Sequence, residues 1–277
     1  LMPALIIILL FTAYPLVRAF LMSFYEDYNM ISGEYSRIGL GNYKDLFGDK
    51  DFTKALRNTS IYVVFVVPCS IALSLLIAVL LNSNIKFRGL FQTIFFLPYV
   101  TSVIAIGLVW SWIFNSNYGL LNYVLSWFGI AKVQWLNKPK YALPSLIIFS
   151  VWKSMAFDIL IFLAGLQTIP KDLYNAARVD STPRWRVFWK ITVPGIAPMI
   201  SYAFIMGFIS AFKVYNEVFS LWSGKAGPAN SAITVVYYIY DKFYNSHNYG
   251  LASAAAVILF LIILVLTVVQ RMMGKKK

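Results

Sequence analysis

Ile-Pro-Lys-Asp-Leu-Tyr-Asn-Ala-Ala-Arg-Val-Asp-Ser-Thr-Pro-Arg-Trp-Arg-Val-Phe-Trp-Lys-Ile-Thr-Val-Pro, residues Ile169–Pro194, is a polar island between two long apolar runs. Its 26 residues carry five basic and two acidic side chains. Pro170 suits the first turn of a helix, where its missing N–H would be unpaired anyway, and Lys171 to Val179 can continue it. Ile169, Leu173, Ala176 and Ala177 recur at helical spacing and give this helix one apolar face. Ser181-Thr182-Pro183 then supplies a break, an N-cap at Thr182 and a proline at the first position of a second helix. That second helix is expected to run from Pro183 to Ile191 and to stop before Pro194. The island therefore reads as a helix–turn–helix projecting from a membrane protein at a basic face, with an ordinary intracellular loop as the plain alternative.

The composition on either side demands a membrane. The chain is 60% hydrophobic and 13% charged, with a mean hydropathy of +0.69, far too apolar for a soluble protein of 277 residues. The net charge of +13 could suggest nucleic acid, but the cations sit between apolar spans and no basic stripe with interleaved aromatics occurs. One cysteine, Cys69, allows no intrachain disulfide, and one histidine, His247, leaves no His-rich metal constellation.

Six spans are long enough to cross ~30 Å of hydrocarbon at ~1.5 Å per residue. They lie near Met2–Ser23, Ile61–Leu81, Leu90–Phe114, Leu143–Gly165, Gly195–Leu221 and Leu251–Val269, and the whole chain, 1–277, reads as a single membrane bundle. Leu1 already stands inside an apolar run, which points to residues upstream of it. Leu1–Ser23 is too long and places Arg18 too late for a signal peptide.

Loops on the island's side hold eleven Lys and Arg in roughly fifty residues, Lys275, Lys276 and Lys277 among them. The opposite loops hold ten in roughly a hundred, offset by seven acids. The island and both termini are thus expected on the cytoplasmic side, with Glu26–Ser60 outside. That outer loop reads as soluble, with Asp51 to Arg57 as a short helix. In Asn115–Ala142, Trp127, Phe128 and Trp135 suit the membrane interface or an outer partner.

The island resembles the "EAA loop" of the membrane subunits of binding-protein-dependent ABC importers, patterned E-A-A-x-x-x-G, nine residues, then I-x-L-P. Here Asn175-Ala176-Ala177, Ser181 and Ile191-Thr192-Val193-Pro194 keep the spacing, with Asn175, Ser181 and Val193 departing from Glu, Gly and Leu. Asp180 fits the same pattern. Gly41-Asn42-Tyr43, Phe96-Leu97-Pro98, Trp152-Lys153 and Leu163-Ala164-Gly165-Leu166-Gln167 extend the likeness to the carbohydrate branch, of the maltose or glycerol-phosphate type. The resemblance implies an all-α integral membrane permease of six transmembrane helices, in a bacterial or archaeal cytoplasmic membrane. It also implies that the island is a cytoplasmic coupling helix, with Leu173, Asn175, Ala176, Ala177, Asp180 and Ser181 meeting an ATPase. The partners implied are a second permease, two ATPase subunits that bind ATP and Mg, an extracytoplasmic binding protein and a sugar. No cofactor is expected in this chain.

Polar residues inside apolar spans mark candidate chemistry, because each is costly in hydrocarbon without a cavity or partner. Arg18 can snorkel to the interface. Lys153 and Asp158 are five residues apart, too far round a helix to pair, so each should meet a neighbour or water. Lys213 and Glu217 are i, i+4 and can pair on one face of the fifth span, with Asn216 beside them and Tyr215 adjacent. That face is either an interhelix staple or a sugar-binding surface, on which amides and carboxylates bond hydroxyls and aromatics stack on rings. In the family the span after the EAA loop contacts sugar, matching Phe212–Glu217, and the span before it points to Trp152, Ser154, Phe157 and Asp158.

The sequence holds no G-x-x-x-x-G-K-[ST], H-E-x-x-H or G-x-S-x-G, so energy must come from another chain or an ion gradient. An ion-coupled secondary transporter or channel, with Lys213 and Glu217 as its ion site, is the rival class. A membrane-embedded enzyme is weaker, since the intramembrane carboxylates are only Asp158 and Glu217.

Overall fold

The computed structural model describes residues 2–83 and 86–274; Leu1 and Lys275, Lys276 and Lys277, counted above for orientation, lie outside the described residues. Among the described residues, four helices are long and apolar enough to cross a membrane as single rods. They are α1 (Met2–Met22), α3 (Lys50–Asn82), α7 (Pro139–Thr168) and α13 (Tyr249–Gly274). Helix α2 (Gly41–Gly48) packs against the N-terminal end of α3. Asp51 to Arg57 is helical, but as the first turns of α3 rather than a separate element, so α3 starts well ahead of the expected Ile61. Asp49 caps it by accepting the Asp51 N–H at 2.8 Å.

The other two expected spans are bent. Helices α4 (Arg88–Val100) and α5 (Val103–Ile113) meet at 106°, so Leu90–Phe114 is not one rod. Thr101 and Ser102 are extended between them, which frees backbone groups that hydrocarbon cannot satisfy. Two local bonds answer this: Thr101 Oγ1 donates to Leu97 O at 2.7 Å, and Ser102 O accepts the Ile106 N–H at 3.0 Å. Helices α9 (Arg184–Gly195) and α10 (Ala197–Phe212) meet at 69°. By length and composition, the described residues hold four spans, or up to six if each bent pair is one span.

Two shorter helices, α6 (Leu120–Ser126) and α8 (Lys171–Val179), lie in connections. Trp135, expected at an interface, instead packs on the core and donates its Nε1–H to Asn122 at 3.0 Å. Trp127 and Phe128 are exposed. Beyond α10 the chain breaks, turns through α11 (Asn216–Leu221) and α12 (Val235–Tyr240), and enters α13. Helices α3 and α7 form the central pair. One apolar cluster centres on Phe52, Phe149, Val218 and Tyr238, the other on Leu75, Phe162, Ile196 and Ala203.

Candidate functional site

The island is a helical hairpin. Pro170 caps α8, Asp172 stands in its first turn and Arg178 in its last, matching the helix dipole at both ends. The helix closes on two bonds, Ser181 N–H to Arg178 O at 3.1 Å and Thr182 N–H to Ala177 O at 2.9 Å, which form a Schellman motif. Its geometry forces Ser181 to φ +49°, a region where a side chain costs energy and glycine does not. Ser181→Gly is therefore expected to stabilise the hairpin by about 1 kcal/mol, read as slower amide exchange over 171–182 with unchanged assembly.

The second helix starts one residue later than the sequence suggested. Pro183 is the cap, Thr182 makes no side-chain cap bond, and Arg184 opens α9. Nor does α9 stop at Ile191. A widened π turn over Phe188–Thr192 shifts the hydrogen bonding, Val193 N–H reaching back to Phe188 O, and the helix passes Pro194 to Gly195.

The apolar face of α8 divides. Ile169 and Ala177 are 7% exposed, buried against their own chain, and the Tyr174 hydroxyl lies 3.1 Å from Thr192 Oγ1. Leu173, Asn175, Ala176, Asp180 and Ser181 are exposed, and so is Val179 at 84%. Ala177 therefore seats the hairpin, while Leu173, Ala176 and Val179 form the free apolar surface.

A cavity of about 500 Å³ lies between the central helices. Helical periodicity builds three of its walls. Tyr62, Val66 and Ser70 recur every fourth residue along α3; Lys153, Ser154, Phe157 and Asp158 share one face of α7; Met206, Gly207, Ser210 and Ala211 line α10. The bend between α4 and α5 adds Tyr99 and Val103, Tyr99 stacking on Phe157 at 5.2 Å. Lys213, Val214, Asn216 and Glu217 complete the lining.

Lys213 and Glu217 do not share a helix. Helix α10 ends at Phe212, Tyr215 takes φ −142° and ψ −54°, and α11 begins at Asn216. The i, i+4 relation therefore fails, and Glu217 Oε1 instead pairs with Lys153 Nζ at 2.6 Å, the side chains 16% and 23% exposed. Lys213 is exposed and makes no ion pair among the described residues. Asp158 is 6% exposed, with Ser70 beside it.

Of the residues singled out from sequence, the structure brings Ser154, Phe157, Asp158, Lys213, Asn216 and Glu217 to one cavity. Trp152 lies outside the wall, its ring 5.2 Å from Trp110. Tyr215 points away, into a second hollow. Sequence reasoning missed Tyr62, Ser70, Tyr99, Met206 and Ser210. Ser70 and Ser210, hydroxyls in long apolar runs, carried a weak signal.

The break at Lys213–Tyr215 is held from outside. Thr234 Oγ1 donates to Val214 O at 2.8 Å, satisfying a carbonyl that the ended helix no longer uses. The segment carrying Thr234 is pinned to α3: the Asn58 amide donates to Ser231 O and Ile233 O at 3.1 and 3.0 Å, and Thr59 Oγ1 accepts the Val235 N–H at 3.0 Å. On the cavity side α11 packs closely on α5, where a Cβ at Gly107 would collide with the Ser220 side chain.

At the start of α3, the Asp49 carboxylate accepts the Tyr238 hydroxyl at 2.8 Å and pairs with Lys242 at 3.0 Å. Burial pushes the Asp49 pKa up, but those two donors and the Asp51 N–H pull it down further, so it lies below the usual 3.8. A depressed carboxylate pKa means stability present above the unfolded value and lost as pH falls through the folded one. Acidification below about pH 4 should therefore loosen the 228–242 segment, and Asp49→Asn should remove that acid dependence from the melting curve.

Comparison with known proteins places this geometry. A sequence profile described as "Binding-protein-dependent transport system inner membrane component" matches residues 70–277. The chain is 34% identical over 270 residues to the arabinooligosaccharides transport system permease protein AraP of Halalkalibacterium halodurans, covering 97% of this chain and 84% of that protein. It is 32% identical over 274 residues to the trehalose/maltose transport system permease protein MalF of Thermococcus litoralis, covering 99% and 92%. Among solved structures it superposes with a TM-score of 0.86 and 26% identity on a chain of a bacterial alginate ABC transporter in complex with its alginate pentasaccharide-bound periplasmic protein. That match covers 99% of this chain and 92% of the other.

Proposed function

The chain belongs to the binding-protein-dependent transport system inner membrane components, and we propose that it is one permease half of an ATP-driven importer of a sugar or oligosaccharide. The cavity carries this reading. Hydroxyl, amide, carboxylate and ammonium groups of Ser154, Asn216, Asp158 and Lys213 face a roughly ligand-sized space deep in an apolar protein. Such groups are costly there unless something polar passes between them. Lys213 and Asn216 are exposed in the single chain, so a second permease is needed to close the path. The entire chain, 1–277, serves as one permease domain with no cofactor of its own.

The hairpin gives the path its drive. Helix α8 follows α7 after two residues and leads through α9 into α10, and α7 and α10 carry two of the cavity walls. A partner that displaces α8 therefore moves both walls. In this reading two ATPase subunits hold ATP and Mg, and the groove of one of them grips Leu173, Ala176 and their neighbours Asn175, Asp180 and Ser181. A loaded extracytoplasmic binding protein docks at the opposite face, and ligands at both faces bias one two-state element. Lys86, Arg88 and the island's cations support a cytoplasmic hairpin and cytoplasmic termini, by the positive-inside rule.

The test is uptake by the complete importer reconstituted in vesicles. Uptake should require ATP, the ATPases and the binding protein, and should survive collapse of the proton gradient. Uptake driven by an ion gradient without ATPase would overturn the reading. Asn216→Ala, which removes neutral hydrogen bonds of about 0.5–1.5 kcal/mol each, should weaken uptake roughly tenfold while leaving basal ATPase and melting temperature unchanged. A destabilised complex whose surviving fraction transports normally would make Asn216 a staple between helices instead.

A further inference from the structure

A second hollow, of about 350 Å³, adjoins the break in the fifth span and is lined by Tyr215, Val236, Ile239, Tyr240, Phe243 and Tyr244. Its location follows from the backbone. Val214 and Asn216 line the central cavity, and Tyr215 between them turns to the other side. From Tyr215 a row of phenol rings runs outward: Tyr240 follows at 4.9 Å and Tyr244 at a further 5.1 Å, the last 62% exposed. The row thus leads from the protein's surface to the break in the fifth span, whose opposite side faces the central cavity.

The hydroxyls of neighbouring tyrosines are committed to the fold, Tyr237 to Gly224 O at 2.7 Å and Tyr238 to Asp49 Oδ2 at 2.8 Å. Those of Tyr215 and Tyr240 bond to each other, and that of Tyr244 has no backbone or carboxylate partner among the described residues. No charged side chain lines the hollow. We infer that this row is a receiving track for a neutral oligosaccharide, its rings offering apolar surface to the C–H faces of sugars and the exposed Tyr244 hydroxyl a bond to a sugar's rim. The ring-to-ring step is comparable to the advance of one sugar unit along a glycan, so successive sugar units can rest on successive rings. An anionic ligand finds no countercharge here, and a monosaccharide spans only one ring. The inference rests on the proposed sugar-import reading and its orientation.

The test uses the assembled importer in nanodiscs without binding protein, with maltohexaose, arabinohexaose and glucose as probes in ligand-observed saturation-transfer NMR. The wild-type complex should saturate the ring C–H protons of at least one hexasaccharide and leave glucose untouched. Tyr240→Ala with Tyr244→Ala should weaken that binding about tenfold, the loss of two aromatic contacts. Tyr240→Phe with Tyr244→Phe should retain the ring contacts and lose less, and Asn216→Ala should leave the track signal in place. No hexasaccharide signal in the wild type, equal signals in wild type and the double alanine variant, or equal signals from glucose and the hexasaccharides, would overturn the track. Loss of the second permease from the double alanine complex in native mass spectrometry would also overturn it, making the hollow a subunit interface. Uptake assays separate the two readings: hexasaccharide binding without ATP-driven uptake of any glycan leaves the track standing and removes the importer reading. Normal uptake with no track signal does the reverse.

Discussion

Ala176→Asp is expected to abolish ATP-driven uptake while leaving the subunit inserted, folded and paired with its fellow permease. Ala176 is exposed on α8 beside Leu173, 49% exposed, and Val179, 84% exposed. A docking groove on the ATPase would bury that surface. A carboxylate carried into it without a partner costs several kcal/mol, and even about 3 kcal/mol is a loss of more than a hundredfold in association. The measurement is co-purification of the ATPase with the permease pair, together with uptake in vesicles. The neighbouring residue supplies the control. Ala177 is buried by its own chain, so Ala177→Asp should lower the yield and melting temperature of the permease itself, a folding defect rather than an uncoupling one. Normal ATPase retention and transport by Ala176→Asp would reduce the hairpin to a plain connection.

The contrast between Ala176 and Ala177 marks how far the sequence could be read. Spacing placed Ile169, Leu173, Ala176 and Ala177 on one apolar face, and the helix Lys171–Val179 is there. Periodicity cannot say which half of a face the chain buries for itself, because Ala looks the same to a core and to a partner. The rods α3, α7 and α13 were legible from apolar length alone. The bends were not. The run from Leu90 to Phe114 stays apolar through the turn, and Pro98, the obvious breaker, sits inside α4 while the chain bends at Thr101 and Ser102. Those hydroxyl residues read as ordinary span residues until their backbone is seen extended. The same blindness governed the site. Ser154, Phe157 and Asp158 fell on one wall because i, i+3 and i+4 spacing on α7 is a local rule. The pairing of Lys213 with Glu217 failed because that rule assumes an unbroken helix. The true partner of Glu217, 64 residues away at Lys153, is a tertiary fact with no periodic signature.

Lys153→Met is expected to destabilise the permease by about 2–3 kcal/mol, at the low end of what breaking a buried pair costs because both side chains keep some exposure. It strands the Glu217 carboxylate on a cavity wall with its ammonium partner gone, and the carboxylate anchors α11, which packs closely on α5 at Gly107. Lys213→Met should change stability by no more than about 0.5 kcal/mol, as for a surface substitution away from any partner. The double replacement Lys153→Met, Glu217→Met should recover most of the loss, since two apolar side chains of similar bulk leave no orphaned charge. Thermal melting of the wild type, Lys153→Met, Glu217→Met and the double variant closes a double-mutant cycle, and the coupling it reports should belong to Lys153 and Glu217. A cycle between Lys213 and Glu217 run in parallel should show none. Coupling in the second cycle and not in the first would mean that the fifth span is one continuous helix, and that the break at Lys213–Tyr215 does not exist in the folded protein.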